Sequence, residues 1–372
     1  MKHLDNLTIH RFRGLRDLTL QDLGQINILV GGNNSGKTSV LEAISTYCRP
    51  LDPLEWLNTS WRREIKYSRK PQLDALKWLF PQNREVDPVD FYEGETYISS
   101  NGAFPVKESR AIYREFEGVF ELDENQENST KYPLKEIDEE IDFENVLRGA
   151  ELQLKAKIAE HDFSLTFEIL ENQRFVINKK NTLYAPCPIE TVTPYSHRIE
   201  PLEIKLLSEA IIQRFKPEVI KLLQVMDSGI TDLAILSPSG KRSSLYIDHQ
   251  QIGIAPLSAF GDGVRRLLFI ALTLSKVRGG VLLIDELETA IHTEALRSSF
   301  LWLVQWCKQM NVQLFATTHS LETIDAILDA SESETDLVLY RLEQRESETK
   351  AVRIERERLQ RLREDLGQEV RV

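Results

Sequence analysis

The sequence has few cysteines and no long apolar segment. Its three cysteines, Cys48, Cys187 and Cys307, are far apart in 372 residues, and this spacing argues against a disulfide framework and against a zinc site. The opening residues, MKHLDNLTIHRFRG, contain no apolar signal segment, and the longest mainly apolar run is Leu267 to Leu274. That run is far shorter than the roughly 20 residues of a membrane span. We therefore expect a cytoplasmic protein that is neither exported nor membrane-embedded.

Positive charge is in the minority. Lysine and arginine number 46 against 58 aspartate and glutamate residues, a formal net charge of -12. A general nucleic-acid sleeve is disfavoured, because phosphate binding needs clustered cations. The densest basic stretch is Trp61 to Lys70, WRREIKYSRK, in which Trp61 and Tyr67 are interleaved. It fits a single-strand stacking site, but we favour a solvated helix face with inward aromatics.

The first half of the chain predicts strands, a glycine-rich loop and a helix, followed by an irregular insertion. LTIHRF, LRDLTL and QINILVGG predict three strands, and TSVLEAIS predicts a helix. From about residue 49 to 200 the pattern is irregular, with scattered prolines, the acidic run KEIDEEIDFE, and the alternating stretches AELQLKAKIA, FSLTFEIL and RFVINKK. We interpret residues 49–200 as an inserted lobe of mixed strands and loops.

The last third alternates helices with short apolar strands. Two helices parted by Pro217 precede the strands ITDLAIL and SSLYID. The helix GVRRLLFIALTLSKV, the strand VLLI, a helix from Glu294 to Met310 and the strand VQLFATTH follow. DLVLYRLEQ and KAVRIERE predict a hairpin, and ERLQRLREDLG predicts a short charged helix. The pattern predicts an α/β fold, a mixed sheet with flanking helices, formed by residues 1–48 and 201–345, with a charged tail at 346–372.

The segment GGNNSGKT, Gly31 to Thr38, matches the G-x-x-x-x-G-K-[ST] phosphate loop between a predicted strand and a predicted helix. Its glycines let backbone N–H groups point at phosphate oxygens, and the helix N-terminus adds a favourable dipole. Lys37 would reach the β and γ phosphates of ATP, and Thr38 would ligate Mg²⁺. A glycine turn that only caps a helix is the other interpretation. The expected nucleotide ligands are Gly31, Asn33, Asn34, Ser35, Gly36, Lys37, Thr38 and Ser39.

Acidic and polar residues end two of the predicted strands. In VLLIDELE, Asp285 and Glu286 follow an apolar strand, at the edge where α/β sheets bind ligands. Asp285 would hold Mg²⁺, and Glu286 would orient the attacking water, unless both acids only begin a helix. His319 ends VQLFATTH, and we expect it to contact the γ-phosphate or the water rather than to be structural.

A second glycine-rich segment, LSAFGDGVRR, opens the helix before VLLIDE. It offers Ser258, Gly261 and Gly263 near a helix N-terminus, which is a favourable place for an anion. The phosphate loop already serves the protein's own nucleotide. We therefore expect this segment to contact a nucleotide held by a partner, in a homodimer or higher oligomer. The alternative is a helix capped by Ser258 or Asp262.

The order GGNNSGKT, LSAFGDGVRR, VLLIDELETAIH and ATTHS resembles the ABC-type ATPases of the SMC, RecF and OLD (overcoming lysogenization defect) group, often described as AAA-family proteins. The likeness covers residues 1–48 and 250–340 and is closest to OLD-type ATPases. It implies ATP hydrolysis in an ATP-sandwich dimer, a D-loop at Glu288 to His292 and an H-loop histidine at His319. The sequence departs from the group in having FGDG in place of LSGGQ, with Ser258 or Gly261 at the signature serine. No glutamine loop can be placed, and no D-x-D pair of a TOPRIM nuclease follows His319.

The resemblance implies a switch that binds and hydrolyses ATP and controls a separately encoded effector, for example a nuclease, in anti-phage defence. One alternative is a RecF-like repair ATPase that clamps DNA when ATP binds. Another is a binding module without effective hydrolysis. The acidic balance and the lack of coiled-coil arms disfavour the DNA clamp. The intact Lys37, Asp285 and Glu286 disfavour the binding module.

Overall fold

The structure is a computed structural model that describes residues 3–62, 72–82, 91–121, 130–133, 146–171, 187–198, 200–238, 240, 243–345 and 348–371. Most of the basic stretch WRREIKYSRK, the acidic run KEIDEEIDFE and the predicted strand RFVINKK lie outside these residues. The chain divides into two compact units. The first unit comprises Met1–Asn6, Thr19–Leu41 and Cys187–Val372, and the second comprises Leu7–Leu18 and Glu42–Pro186. The boundaries predicted after residues 48, 200 and 345 stay predictions.

The described residues form the following elements. The strands are β1 (Leu7–Phe12), β2 (Leu15–Leu20), β3 (Ile26–Gly31), β4 (Glu93–Ser99), β5 (Val106–Glu121), β6 (Thr130–Pro133), β7 (Val146–Ile158), β8 (His161–Leu170), β9 (Ile189–Val192), β10 (Ile230–Leu236), β11 (Ser244–His249), β12 (Gly253–Pro256), β13 (Val281–Ile284), β14 (Gln313–Thr317), β15 (Leu337–Arg345) and β16 (Glu348–Glu355). The helices are α1 (Lys37–Cys48), α2 (Pro53–Trp61), α3 (Leu73–Lys77), α4 (Glu200–Ile212), α5 (Lys216–Leu223), α6 (Asp262–Lys276), α7 (Thr293–Gln309), α8 (Leu321–Asp329) and α9 (Arg356–Gln360).

A six-stranded sheet organises the first unit, in the order β16-β15-β3-β14-β13-β9. Its strands run parallel except for β16, which pairs antiparallel with β15. Every residue of β3, β13 and β14 is buried, as expected for parallel strands covered on both faces. Their carboxyl ends meet at one edge of the sheet, because Ile284 lies opposite Ala316 and Thr317 lies opposite Leu29. The predicted α/β class, with a mixed sheet and flanking helices, is confirmed.

Helix α6 lies at the centre of the first unit's core. Twelve of its fifteen residues are buried, so the helix is covered almost all round, which explains the longest apolar run of the sequence. Helices α4, α5 and α7 pack against it, and α5 contacts β10 in the small antiparallel sheet β10-β11-β12. These elements hold the start of α6 beside the ends of β13 and β14.

The other predicted elements of the first unit are close to those observed. Pro217 does not itself part the two helices but lies in the first turn of α5, where a proline needs no N–H partner. The break falls just before it, at Gln213 to Phe215, where Arg214 has a φ of 58°. The predicted terminal hairpin is β15–β16, and β15 also pairs with β3. A π-helical turn at Arg361–Asp365 follows α9.

The second unit is built on a seven-stranded sheet, in the order β2-β1-β4-β5-β7-β8 with β6 paired to β5. Strands β4, β5, β7 and β8 pair antiparallel. Buried residues alternate with more exposed ones in β4, β5 and β7, whereas β8 is mostly exposed. The rings of Trp56, Phe80 and Tyr113 stack in its core, with centroids 5.4 and 5.3 Å apart. Among the described residues of the whole chain, no helix is both long enough and apolar enough to cross a membrane.

Candidate functional site

The loop between β3 and α1 curls in a way that only glycine permits at its first residue. Gly31 has a φ of +146°, and a Cβ added there would lie 2.6 Å from the carbonyl oxygen of Leu342 and 2.7 Å from Ser35 Oγ. Asn34 and Gly36 also have positive φ values, 62° and 92°. Successive reversals of this kind turn backbone N–H groups toward one point. The predicted phosphate loop therefore has the backbone shape of an anion cradle.

Lys37 lies inside this cradle. Its Nζ donates hydrogen bonds of 2.9 Å to the carbonyl oxygens of both Gly31 and Gly32, and the residue is only 6% exposed. Burial lowers the pKa of Lys37, whereas the nearby charges of Asp285, Glu286 and Glu288 oppose that shift. Ser35 Oγ is buried nearby without a hydrogen-bond partner. A buried ammonium and an orphaned hydroxyl fit a bound phosphate chain, because it would give Ser35 Oγ a partner and Lys37 a charged acceptor in place of neutral carbonyl oxygens.

Thr38 and Asp285 are in contact although they lie 247 residues apart in the sequence. Thr38 Oγ1 donates to the Asp285 carboxylate, at 3.2 Å from Oδ1 and 3.1 Å from Oδ2. The Thr38 hydroxyl and the Asp285 carboxylate together suit Mg²⁺, which proteins usually hold through one or two side chains plus substrate phosphates and water. In the described ranges, no cluster of three or more His, Cys, Asp or Glu side chains is placed to hold a metal. A site completed by nucleotide phosphates does not need such a cluster.

Glu286 follows Asp285 and carries an exposed carboxylate at the same sheet edge. Its φ of 49° is unusual for a residue with a side chain. The Glu286 N–H donates to Thr317 Oγ1 at 2.8 Å, and its Oε2 accepts a 3.0 Å bond from Thr289 Oγ1. The left-handed backbone turns the chain sharply after β13. Glu286 is therefore held at the edge, where it can orient a water molecule.

Arg266 is a buried cation behind these acids. It is 0% exposed, and its guanidinium donates to the carbonyl oxygens of Thr193, Asp285 and Glu286, the last two at 3.0 and 3.1 Å. Burial lowers the pKa of Arg266 to about 10, against the raising effect of the nearby acids. It therefore remains charged at neutral pH. Arg266 ties the helix that begins at the second glycine-rich segment directly to the peptides that carry the catalytic candidates.

His319 lies one strand away from Glu286, just past the end of β14, and its side chain is exposed. Its N–H donates a 3.0 Å hydrogen bond to Glu288 Oε1. The other carboxylate oxygen of Glu288 is buried and has no partner among the described residues. The predicted D-loop and H-loop are thus connected by a side chain, and His319 lies at the same edge as Asp285 and Glu286.

The second glycine-rich segment is placed differently from the phosphate loop. Ser258 and Gly261 are exposed, and neither hydrogen-bonds to the phosphate loop in the part of the chain that the structure describes. Gly261 is the N-cap of α6, and no side chain caps that helix, so capping by Ser258 or Asp262 is wrong. Gly263 is buried instead. A Cβ there would lie 2.7 Å from the carbonyl oxygen of Ala290, so this close approach requires glycine.

The structure brings together the phosphate loop, Asp285, Glu286 and His319 and leaves Ser258 and Gly261 facing outward. Sequence reasoning missed two residues of the site, Thr317 and Arg266. Thr317 Oγ1 donates a 2.6 Å hydrogen bond to Asp285 Oδ1. Arg266 lies in the motif segment LSAFGDGVRR and Thr317 in the strand segment VQLFATTH. A polar side chain in an otherwise apolar helix or strand was the signal that could have identified each of them.

Residues 26–325 match the family described as "AAA domain, putative AbiEii toxin, Type IV TA system". The chain belongs to this family. With the geometry above, membership identifies this AAA-domain protein as an ATP-hydrolysing enzyme. The predicted membership of the AAA-family ATPases is confirmed, and the narrower OLD assignment stays a prediction.

Relatives of this AAA-domain ATPase cover nearly its whole length. It is 22% identical over 342 residues to an ATP/GTP phosphatase of Helicobacter pylori, which covers 90% of this chain and 89% of that protein. It is 22% identical over 363 residues to the DNA replication and repair protein RecF of Listeria innocua, covering 87% and 94% of the two chains. The Smc head domain of Pyrococcus furiosus superposes with a TM-score of 0.50 at 11% identity, covering 99% and 100%. That superposition supports the ABC-type P-loop fold.

Proposed function

We propose that this ATPase is a cytoplasmic switch that works as an ATP-sandwich dimer, in which the LSAFGDG segment of one copy contacts the nucleotide held by the other. The single observation that carries the proposal is the placement of α6. The N-terminus of α6 presents the exposed Ser258 and Gly261 outward, while its second turn places Arg266 on the peptides of Asp285 and Glu286. A nucleotide bound by a partner at Gly261 would therefore be sensed by the same helix that holds the local catalytic acids.

Within each copy, the proposed roles follow from the geometry. The phosphate loop and Lys37 bind the phosphates, Thr38 and Asp285 hold Mg²⁺, Glu286 orients the attacking water, and His319 contacts the γ-phosphate. Bound Mg²⁺ would supply charge neutralisation for phosphoryl transfer. The protein's contribution is mainly positioning, which is why so many of the contacts around Asp285 and Glu286 are made by hydroxyl and guanidinium groups.

A mixing experiment tests the shared site. Lys37→Ala removes the phosphate ligand of one copy but leaves its LSAFGDG segment intact, and Ser258→Arg obstructs that segment but leaves the phosphate loop intact. If sites are shared, an equimolar mixture of the two inactive variants regains about one quarter of the wild-type ATPase rate, because half of the dimers have one intact site. A mixture that stays inactive, although each variant is folded by circular dichroism, contradicts the shared site.

The output of the switch, in this proposal, is control of a separately encoded effector, for example a nuclease, in an OLD-like anti-phage defence system. The family description, which names a type IV toxin–antitoxin system, supports a second component. Affinity purification of the tagged Glu286→Gln variant in ATP, with the products of neighbouring genes co-expressed, tests this step. The expected result is an effector retained in ATP and lost with Lys37→Ala; equal retention by both variants contradicts ATP control.

A RecF-like DNA clamp is the second candidate, and one surface of the second unit favours it. Three cationic and two acidic side chains line a groove of about 280 Å³ there: Arg110, Lys155, Lys157, Glu108 and Asp162. Phe163 in the same groove is 45% exposed. Lys155 and Lys157 form no ion pair with the described residues. The Arg110 guanidinium lies 4.0 Å from the centre of the Tyr97 ring and 3.9 Å from carboxylate oxygens of Glu95 and Glu108. Cations beside an exposed aromatic ring are a combination that binds single strands.

Fluorescence anisotropy with labelled single-stranded DNA separates the two candidates. The clamp predicts ATP-dependent binding that weakens steeply with salt and that is lost in Lys155→Glu with Lys157→Glu. The control carries the same charge change at the exposed Lys308 and Lys350. Binding that is absent, or equally reduced by both pairs, contradicts the clamp and leaves the effector switch as the proposed function.

A further inference from the structure

Both backbone polar groups of His319 are held by side chains from distant parts of the sequence. The His319 N–H donates to Glu288 Oε1 at 3.0 Å, and the His319 carbonyl oxygen accepts a 2.7 Å bond from Arg371 Nη1. Glu288 follows β13, whereas Arg371 lies 52 residues after His319. The orientation of this loop is therefore set by two contacts that no local sequence pattern announces.

Arg371 belongs to a short segment that is anchored and pre-oriented. Val370 is 1% exposed and is part of the first unit's core. On either side of it, Glu369 and Arg371 form a two-point ion pair, with Nε 2.8 Å from Oε1 and Nη2 2.7 Å from Oε2. The pairing lowers the pKa of Glu369 to about 2. The two-point pairing with Glu369 fixes the plane of the Arg371 guanidinium, so that its remaining nitrogen, Nη1, points at the His319 carbonyl oxygen.

The same segment is tied to the helix that begins directly after the His319 loop. Arg363 binds both carboxylate oxygens of Asp325 in α8, at 2.7 and 2.8 Å, and donates a 2.6 Å bond to the carbonyl oxygen of Gln368. Ser320 caps α8 by accepting from the N–H of Thr323 at 3.1 Å. Helix α8 therefore carries the His319 loop at its N-terminus and the anchor of the Arg371 segment on its side.

Glu288 provides the second of the two contacts that hold the backbone of His319. Its Oε1 accepts from His319, and its Oε2 is buried without a partner in the described part of the chain. The bond to His319 therefore provides the carboxylate with its only donor there, which favours keeping the loop in this place. The charge of Glu288 is also one of the three that oppose the lowering of the Lys37 pKa by burial. It thus lies within electrostatic reach of the phosphate loop.

We propose that Arg371 and Glu288 are positioning residues for ATP hydrolysis, which hold the imidazole of His319 at the γ-phosphate. The inference rests on the proposed role of His319. Neither residue touches the nucleotide; each acts through the backbone of the H-loop. Phosphoryl transfer depends on the accurate placement of the reacting groups. Loss of either hydrogen bond to the His319 backbone therefore slows turnover, whereas nucleotide affinity, which the phosphate loop provides, is unchanged.

Steady-state ATPase kinetics of a double-mutant cycle test the proposal. Arg371→Ala is expected to lower kcat about 3- to 10-fold with KM for ATP within about 2-fold of wild type. In a His319→Ala background the same substitution is expected to change nothing further, because the residue that it positions is gone. Arg371→Lys, which keeps one donor, is expected to recover part of the rate. Arg361→Ala is the matched control, because Arg361 is exposed in the same region.

Glu288 provides an independent arm that keeps the result interpretable if one variant folds poorly. Glu288→Gln retains an oxygen acceptor and is expected to keep most of kcat, whereas Glu288→Ala is expected to match Arg371→Ala. If His319→Ala is slow but Arg371→Ala and Glu288→Ala have wild-type rates, the proposed positioning role of Arg371 and Glu288 is wrong and the role of His319 stands. A wild-type rate for His319→Ala overturns both. Additive losses of kcat in the double variant Arg371→Ala with His319→Ala also contradict the positioning role, because Arg371 then acts independently of His319.

Discussion

Thr317 Oγ1 lies 2.6 Å from Asp285 Oδ1 and accepts a 2.8 Å hydrogen bond from the N–H of Glu286. One hydroxyl at the end of β14 therefore orients both acids at the end of β13. The residue is buried, so its hydrogen bonds are protected from water. Such outer contacts fix the orientation of a metal ligand as much as the ligand's own backbone does.

Thr317→Val keeps the shape of the side chain and removes this hydroxyl. We expect kcat for ATP hydrolysis to fall about 10- to 100-fold, because Asp285 loses a donor and Glu286 loses the acceptor that holds its strained backbone. Thr273→Val is the control, since Thr273 Oγ1 is buried in α6 without a hydrogen-bond partner. Equal rates for the two variants in a phosphate-release assay would show that Thr317 is not part of the site.

Arg266→Met replaces the buried guanidinium with an apolar side chain of similar length. The carbonyl oxygen of Asp285 then loses its donor, and those of Thr193 and Glu286 keep only the N–H groups of Ser196 and Thr289. We expect ATP turnover to fall by more than about 10-fold. Circular dichroism and a thermal melt check that the variant is folded. The neighbouring Arg265→Met provides the comparison: it leaves those three carbonyl contacts in place and is expected to retain most of the activity. Full activity of folded Arg266→Met would contradict the proposed link from α6 to Glu286.

Gln313 has a structural role in the buried strand β14. Its side-chain oxygen accepts from the N–H groups of His3 and Leu4, at 3.1 and 2.9 Å, and its amide donates to the carbonyl oxygens of Leu4 and Gly24. Gln313→Leu removes all four hydrogen bonds. The Gly24 carbonyl oxygen keeps its 2.8 Å bond from the Asn27 amide, but the N–H and carbonyl groups of Leu4 lose their partner, so we expect the free energy of unfolding to fall by about 2–4 kcal/mol. Urea denaturation measures it. A loss below about 1 kcal/mol would show that the N-terminal segment does not depend on this side chain.

The sequence was sufficient to predict the elements that follow strong periodicity or a motif. The three opening strands, α1, α6, β13, α7, β14 and the terminal hairpin are found where the apolar patterns place them. The site at the ends of β3, β13 and β14 was predictable for the same reason, because parallel strands bring their carboxyl ends to one edge. A glycine-rich loop, an acidic pair and a histidine at those ends then have to be neighbours.

Contacts between distant segments could not be predicted in this way. Arg266 looks like an ordinary charged residue of an amphipathic helix, and only the burial of α6 on nearly all sides shows that its charge must be satisfied by backbone carbonyls. Arg371 and Glu288 meet at His319 through tertiary packing, which leaves no spacing signal. The close approach of Gly263 to Ala290 could not be predicted either, because a tight backbone contact and a nucleotide site demand glycine for the same steric reason. The predicted nucleotide contact of Gly263 stays a prediction.

In the proposed mechanism, Glu286 serves ATP hydrolysis at a site where Lys37 binds the nucleotide. The most direct test is a single-turnover assay with radiolabelled ATP and excess protein, in which bound ATP and released phosphate are measured together. We predict that Glu286→Gln retains bound ATP while phosphate release slows about 100-fold or more, and that Lys37→Ala retains no ATP. Phosphate release by Glu286→Gln at the wild-type rate would contradict the claim.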